Sequence, residues 1–181
     1  MQKDTIAIHA GYDKKSGNGE MAIPISQTTA YAFRDAEHAA NLFALKELGP
    51  IYTRLNNPTN DILEQRYAQL ENGAAALVTA SGASAVFYSI ANIAEAGDNI
   101  LISDKLYGGS VTLFHFTLKR FGISVKTFKS DDASDLESLV DDKTKGIFFE
   151  SLSNPQIAIP AIEKIVEVEK KYGIITICDN T

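Results

Sequence analysis

Five apolar runs of strand length recur along residues 74–181, and no other feature limits the fold as tightly. They are AAALVT (74–79), NILIS (99–103), ISVKTF (123–128), GIFFES (146–151) and IITIC (174–178). They largely lack the polar alternation of a strand with one wet face, which predicts strands buried on both faces. Helix candidates fall between them. Val86, Ile90, Ile93 and Ala94 share one face of a helix ending near Gly97. Phe114, Leu118 and Phe121 do the same before Gly122, and Ile162, Ile165 and Val166 before Gly173. A glycine just past a helix adopts the left-handed cap at little cost. This rhythm predicts an α/β fold: a mostly parallel sheet with flanking helices and right-handed crossovers.

The first 58 residues follow another logic. They open irregularly, with Gly11, Gly17 and Gly19, and continue into a helical stretch over 35–49 and then YTRLNNPT. A helix is expected from about Asn60 to Glu71, with Asp61 and Glu64 as a capping box and Ile62, Leu63, Tyr67 and Leu70 as its apolar face. Residues 1–58 read as an arm that packs on something larger, and 59–181 as part of a large domain. No internal repeat interrupts this pattern. The sequence stops at Asp179-Asn180-Thr181, directly after a buried-type strand. The expectation is a truncated chain, because ligands bind at the carboxyl ends of strands in open α/β sheets.

Composition narrows the function classes. The net charge is −6 with no Lys/Arg-rich run, which argues against nucleic acid as a partner. No apolar run approaches the roughly 20 residues of a membrane span. The start, MQKDTIAIHAGYDKK, carries charges where a signal peptide needs an apolar core, and the single cysteine, Cys178, fits a reducing compartment. A cytoplasmic protein is the expectation. His9, His38 and His115 have no metal-ligand spacing, so no metal is expected, and Cys178 reads as a buried small hydrophobe.

The chemistry-bearing residues gather where the strands end. Ser81-Gly82-Ala83 follows a strand and opens a helix. Backbone N–H groups there form a phosphate site, although a plain strand-to-helix turn with a serine cap reads equally well. Neither GxGxxG nor GxxxxGK[ST] occurs, which disfavours a nicotinamide-dependent dehydrogenase or a nucleotide-binding protein. Asp179 ends an apolar strand; it suits a cationic heterocycle nitrogen, or it caps a following helix. Tyr107, in the turn LYGGS, either stacks on a flat ligand or packs beneath a loop. Tyr52 and Arg54 lie on an irregular segment, where arginine suits bidentate phosphate binding or plain solvation.

Taken in order, QTTAYAF, YTRLNNPTND, SGASA, GDNIL, LYGGS, ESLSNP and CDNT resemble the Cys/Met-metabolism enzymes that depend on pyridoxal 5′-phosphate (PLP). Each motif is weak alone, but the ordered set is specific and spans nearly the whole chain. The resemblance implies the large domain of an aspartate-aminotransferase-like (fold type I) PLP-dependent transferase, with an N-terminal arm. It implies that Gly82 and Ala83 offer N–H groups to the PLP phosphate, with Ser81 shaping the turn. Tyr52 and Arg54 are implied to reach the phosphate of a neighbouring subunit's cofactor. Tyr107 is implied to stack on the pyridine ring and assist proton transfer, and Asn154 to lie near the phenolic oxygen. Asp179 is implied to pair with the ring nitrogen, and Thr181 to pack on the opposite ring face.

The stretch AANLFALKELGPIYTRLNNPT looks most like the sulfhydrylase branch of that family, since lyases and γ-synthases tend to have a shorter approach to the YTR motif; their commoner SGM-type turn is SGA here, which leaves the backbone donors intact. The likeness implies γ-replacement: an amino-acid substrate, O-acetyl-L-homoserine, exchanges acetate for sulfide and becomes L-homocysteine. A γ-synthase or γ-lyase of the same family is the nearer alternative, and a non-catalytic binding or regulatory module the more distant one. The family's Schiff-base lysine belongs beyond Thr181, so the chain alone is expected to be inactive. A homotetramer with shared sites is the assembly implied for the full-length enzyme.

Overall fold

The computed structural model describes residues 2–15 and 19–181, so Gly17 lies outside the described residues. The chain divides into two compact units, one ending at Val78 and one running from Thr79 to Thr181.

The second unit holds a four-stranded, all-parallel sheet: β1 (Asn99–Ser103), β2 (Ser124–Phe128), β3 (Thr144–Glu150) and β4 (Ile175–Asp179), in the order β2-β1-β3-β4. Every residue of β1 and all but one of β3 is buried, as their unbroken apolar runs predict. The flanking strands differ. Ile175 is half exposed and Cys178 lies at the surface, so the expectation of a buried thiol is corrected. A strand at the edge of the sheet lacks a neighbour on one side, and its apolar sequence alone does not supply one.

Period-2 alternation sorts the sheet's side chains onto two cores. Leu101, Ile147 and Phe149 face one way and pack with Leu136, Ile165 and Val168. These last three come from α6 (Leu136–Leu139) and α7 (Ile162–Tyr172). Ile100, Ile102 and Phe148 face the other way, against Ile90, Phe114 and Leu118. Ile90 lies on α4 (Gly82–Ala91), and Phe114 and Leu118 on the segment after β1. That segment is α5 (Gly108–Thr112), a π-helical turn (Leu113–Thr117) and a 3₁₀ turn (Leu118–Phe121). The helix expected before Gly122 is therefore three short pieces, and Phe121 is 55% exposed rather than on the core face. Gly122 (φ 76°) and Gly173 (φ 65°) cap in the left-handed region as expected. Gly97 does not cap α4, which ends six residues earlier; its N–H donates to Gly122 O at 2.9 Å.

The run AAALVT (74–79) forms no ladder among the described residues, and Leu77 is 76% exposed. A strand exists only where another strand takes its N–H and C=O groups, so apolar, β-prone sequence is not sufficient.

The first unit contains α1 (Lys3–His9), α2 (Ala36–Phe43) and α3 (Pro58–Leu70). The first of these lies where an irregular opening was expected. The stretch expected as helix over 35–49 ends at Phe43; Asp35 caps it by accepting from His38 N at 2.7 Å. Asn57 rather than Asp61 caps α3, accepting from Thr59 N at 2.9 Å, with Pro58 at the first helical position where proline is tolerated. Asp61 lies inside that first turn, its carboxyl pushed up by burial and the nearby Glu64. The anticipated apolar face is only partly covered: Ile62 and Leu70 are half-buried, Leu63 and Tyr67 are exposed, and no residue of α3 is fully buried. Gly11 (φ 79°) packs so closely on α3 that a Cβ there would collide with the Ile62 carbonyl oxygen.

Candidate functional site

The strand order fixes where a site forms. From β1 the chain crosses to β2 on one side and then returns to β3 on the other. At such a switch point the loops leaving the carboxyl ends of β1 and β3 diverge and leave a crevice. A cleft of about 590 Å³ opens there, within the range of small-molecule sites. Its walls include Gly82 and Ala83 from α4, Tyr107 and Gly109 after β1, Glu150 and Asn154 at and after β3, and Asp179 and Thr181 at and after β4. Gly82, Ala83, Tyr107, Asn154, Asp179 and Thr181 are thus brought together on one hollow. Tyr52 and Arg54 belong to the first unit, where the Arg54 guanidinium stands 5.1 Å from the centre of the Tyr52 ring.

The helix wall is a place for an anion. Ser81 is the N-cap of α4, and its Oγ accepts from Ser84 N at 3.1 Å. Ala85 N donates to Ser81 O at 3.0 Å. The N–H groups of Gly82 and Ala83 are left with no partner among the described residues. A Cβ on Gly82 would meet no atom within 4 Å and would stand in open space. Unpaired donors, the positive end of a helix dipole and a bare α-carbon together admit phosphate or carboxylate closely.

The sheet floor is a place for a cation. Glu150 and Asp179 are register partners on β3 and β4, and both reach the cleft. No lysine, arginine or histidine is among the lining residues. Asp179 Oδ1 accepts from Thr181 N at 3.1 Å and from Thr181 Oγ1 at 2.6 Å, contacts that hold the carboxylate at the end of β4. Glu150, although 6% exposed, is paired with no cation among the described residues; Oε1 accepts from Tyr107 N at 2.7 Å and Oε2 from Asn154 N at 3.0 Å.

Tyr107 is 56% exposed, and its ring leans over Gly109. The Asn154–Pro155 peptide is cis. Apolar wall comes from Val86, expected only as part of a helix face, and from Leu113 and Leu152, which no sequence signal singled out. Glu150 was visible only as the charged end of an apolar run; the missed signal was that a carboxylate closing such a strand must find donors. The cleft suits a small, flat molecule with an anionic arm and a ring that carries positive charge.

Residues 4–181 match the model of the family described as Cys/Met metabolism PLP-dependent enzyme. Homocysteine synthase of Schizosaccharomyces pombe is 44% identical over 98% of the chain, and the match covers 42% of that protein. O-acetyl-L-homoserine sulfhydrylase 1 of Thermus thermophilus is 45% identical over 100% of the chain and 43% of its own length. The chain therefore spans less than half of these relatives. Among solved structures, a putative O-acetylhomoserine (thiol)-lyase from Campylobacter jejuni superposes with a TM-score of 0.97 at 50% identity, covering 100% of this chain and 44% of that one. That crystal structure contains N′-pyridoxyl-lysine-5′-monophosphate. A cystathionine gamma-lyase from Lactobacillus plantarum superposes with a TM-score of 0.89 at 28% identity, covering 100% of this chain and 45% of that one.

Proposed function

The chain belongs to the Cys/Met metabolism family of PLP-dependent enzymes, and on that premise we propose that the longer protein containing it converts O-acetyl-L-homoserine and sulfide to L-homocysteine and acetate. The observation that carries the choice of reaction is the 45% identity to an O-acetyl-L-homoserine sulfhydrylase along the entire chain. The observation that carries the cofactor is the cleft, with two unpaired N–H donors on its helix wall and a carboxylate pair on its floor.

PLP fits these walls, and when bound it supplies the electron sink that lets an amino acid lose its α-proton and then its γ-substituent. In this reading Gly82 and Ala83 donate their N–H groups to the phosphate, and Ser81 keeps the turn open for it. Asp179 holds a proton on the ring nitrogen, and Thr181 keeps that carboxylate in place while covering one face of the ring. Tyr107 covers the other face and serves in proton transfer. Asn154 presents its amide to the phenolic oxygen. Tyr52 and Arg54 contribute to a phosphate site in a partner copy, in a homotetramer. The cytoplasm is the setting in this reading, supported by the single cysteine within these 181 residues.

No lysine is among the cleft walls, so the amine that anchors the cofactor aldehyde comes from elsewhere in the longer protein. The 181-residue chain alone is expected to release no acetate.

The test is product analysis with the full-length protein supplied with O-acetyl-L-homoserine and sulfide, and separately with methionine and with cystathionine. Equimolar homocysteine and acetate from the first mixture is the expected outcome. Faster cleavage of methionine or cystathionine would replace this reading with a γ-lyase.

A further inference from the structure

Of the two charged residues that line the cleft, Asp179 and Glu150, the proposed reaction leaves Glu150 without a role. A carboxylate at 6% exposure with no cation beside it is costly to bury unless other donors compensate. The two donors it has are the backbone N–H of Tyr107, 2.7 Å from Oε1, and the backbone N–H of Asn154, 3.0 Å from Oε2. They come from the loops that leave β1 and β3 on either side of the switch point. Where those loops diverge, no backbone hydrogen bond joins them among the described residues. The carboxylate replaces the missing ladder, one oxygen to each loop.

From this bridging geometry we infer that Glu150 is a positioning residue, which sets the separation and tilt of the Tyr107 ring and the Asn154 amide that flank a bound PLP. The inference rests on the PLP reading of the cleft. The bridge needs an acceptor at both oxygens. In Glu150→Gln the side chain keeps its shape, but one end becomes an NH₂ group facing an N–H, so one loop is always released. In Glu150→Asp the charge and both acceptors remain, but a chain one methylene shorter cannot span both loops. A role of charge alone would survive in the aspartate variant; a role of reach would not.

The experiment uses full-length protein with PLP as the probe. It measures cofactor affinity by absorbance titration, the position and pH dependence of the bound cofactor's absorption band, and the thermal midpoint of the cofactor-free protein. Loss of one charge-assisted hydrogen bond predicts about tenfold weaker PLP binding in both variants. A displaced absorption band or titration midpoint accompanies it in whatever PLP remains bound. If either variant fails to fold, the other carries the same prediction. If neither does, amide exchange in the unsubstituted cofactor-free protein decides: Tyr107 and Asn154 N–H groups are both protected if the bridge exists. Wild-type affinity and an unmoved band in both variants would overturn the inference, as would a lowered thermal midpoint with an unchanged band, because that is the mark of a merely structural carboxylate. Restoration by aspartate alone overturns the two-loop bridge in favour of charge. If the unsubstituted protein binds no PLP, the PLP reading fails and takes this inference with it.

Discussion

A side chain placed at position 109 would have to enter the ring of Tyr107: an ideal Cβ there lies 2.5 Å from the ring's Cε1 and 3.1 Å from Cδ1. Gly109 is the second residue of α5, and its backbone is not in the left-handed region, so alanine is tolerated conformationally. Alanine is favoured over glycine in helices by roughly 0.5–1 kcal/mol. Gly109→Ala is therefore expected to leave the thermal midpoint of the full-length protein unchanged or slightly raised. It is also expected to displace the tyrosine ring and speed PLP release, measured by loss of cofactor absorbance on dilution. Unaltered release would mean that the ring's resting place has no bearing on the cleft. The substitution separates packing beneath the ring from the hydrogen bond that holds its backbone, since Glu150 contacts Tyr107 only through N–H.

At the scale of elements, the opposite end of the sheet carries its own polar clamp. Asp141 Oδ1 accepts from Asn99 Nδ2 at 2.8 Å and Oδ2 from Lys126 Nζ at 2.6 Å, and Thr144 Oγ1 adds a contact at 3.0 Å. Asn99, Lys126 and Thr144 lie on β1, β2 and β3, so one carboxylate ties three strands. The hydrogen bond from Lys126, followed by that from Asn99, holds its carboxyl well below the ordinary carboxylate range. A folded-state value depressed below the unfolded one lends stability that is complete above about pH 4 and is lost as pH falls through the folded value. Asp141→Asn is expected to be destabilised at neutral pH, with the gap to wild type closing in acid; parallel urea titrations across pH measure it. A gap independent of pH would show that the ionised form is not what matters.

The same scale shows what the sequence could convey. The runs at 99–103, 123–128, 146–151 and 174–178 became four parallel strands because each is apolar enough to be taken into a shared sheet. The run at 74–79 is as apolar yet unpaired, since hydrogen-bond partners are a property of neighbours and not of composition. Gly122 and Gly173 were legible as caps because a positive φ is a local demand. The π-helical turn at Leu113–Thr117 was not, because it changes register while leaving the apolar spacing of Phe114 and Leu118 almost intact. Gly82 and Ala83 on the cleft wall, with Ser81 capping their helix, could be read from the small-residue turn that opens α4, although the strand expected before it is unpaired. The bridge from Glu150 could not, because it joins residues 43 positions apart in the chain.

Across the whole molecule, the two units differ in how completely they bury their apolar side chains. In the first, Leu48 is 90% exposed, Ile25 82% and Leu45 80%, whereas in the second Ile100, Leu101, Phe114, Leu118 and Ile147 are fully buried. Single exposed aliphatics are ordinary, but several in one small unit support the proposal that this arm is covered in a larger assembly. No helix among the described residues is long and apolar enough to cross a membrane. The central claim, however, concerns the second unit: strand tips and a helix N-terminus form a cradle for PLP. A crystal structure of the full-length protein grown with PLP tests it most directly. The predicted density has the phosphate on the N–H groups of Gly82 and Ala83, the ring nitrogen within hydrogen-bond reach of Asp179, and the ring against Tyr107. Cofactor density elsewhere, or a phosphate away from α4 with Asp179 facing solvent, would contradict it.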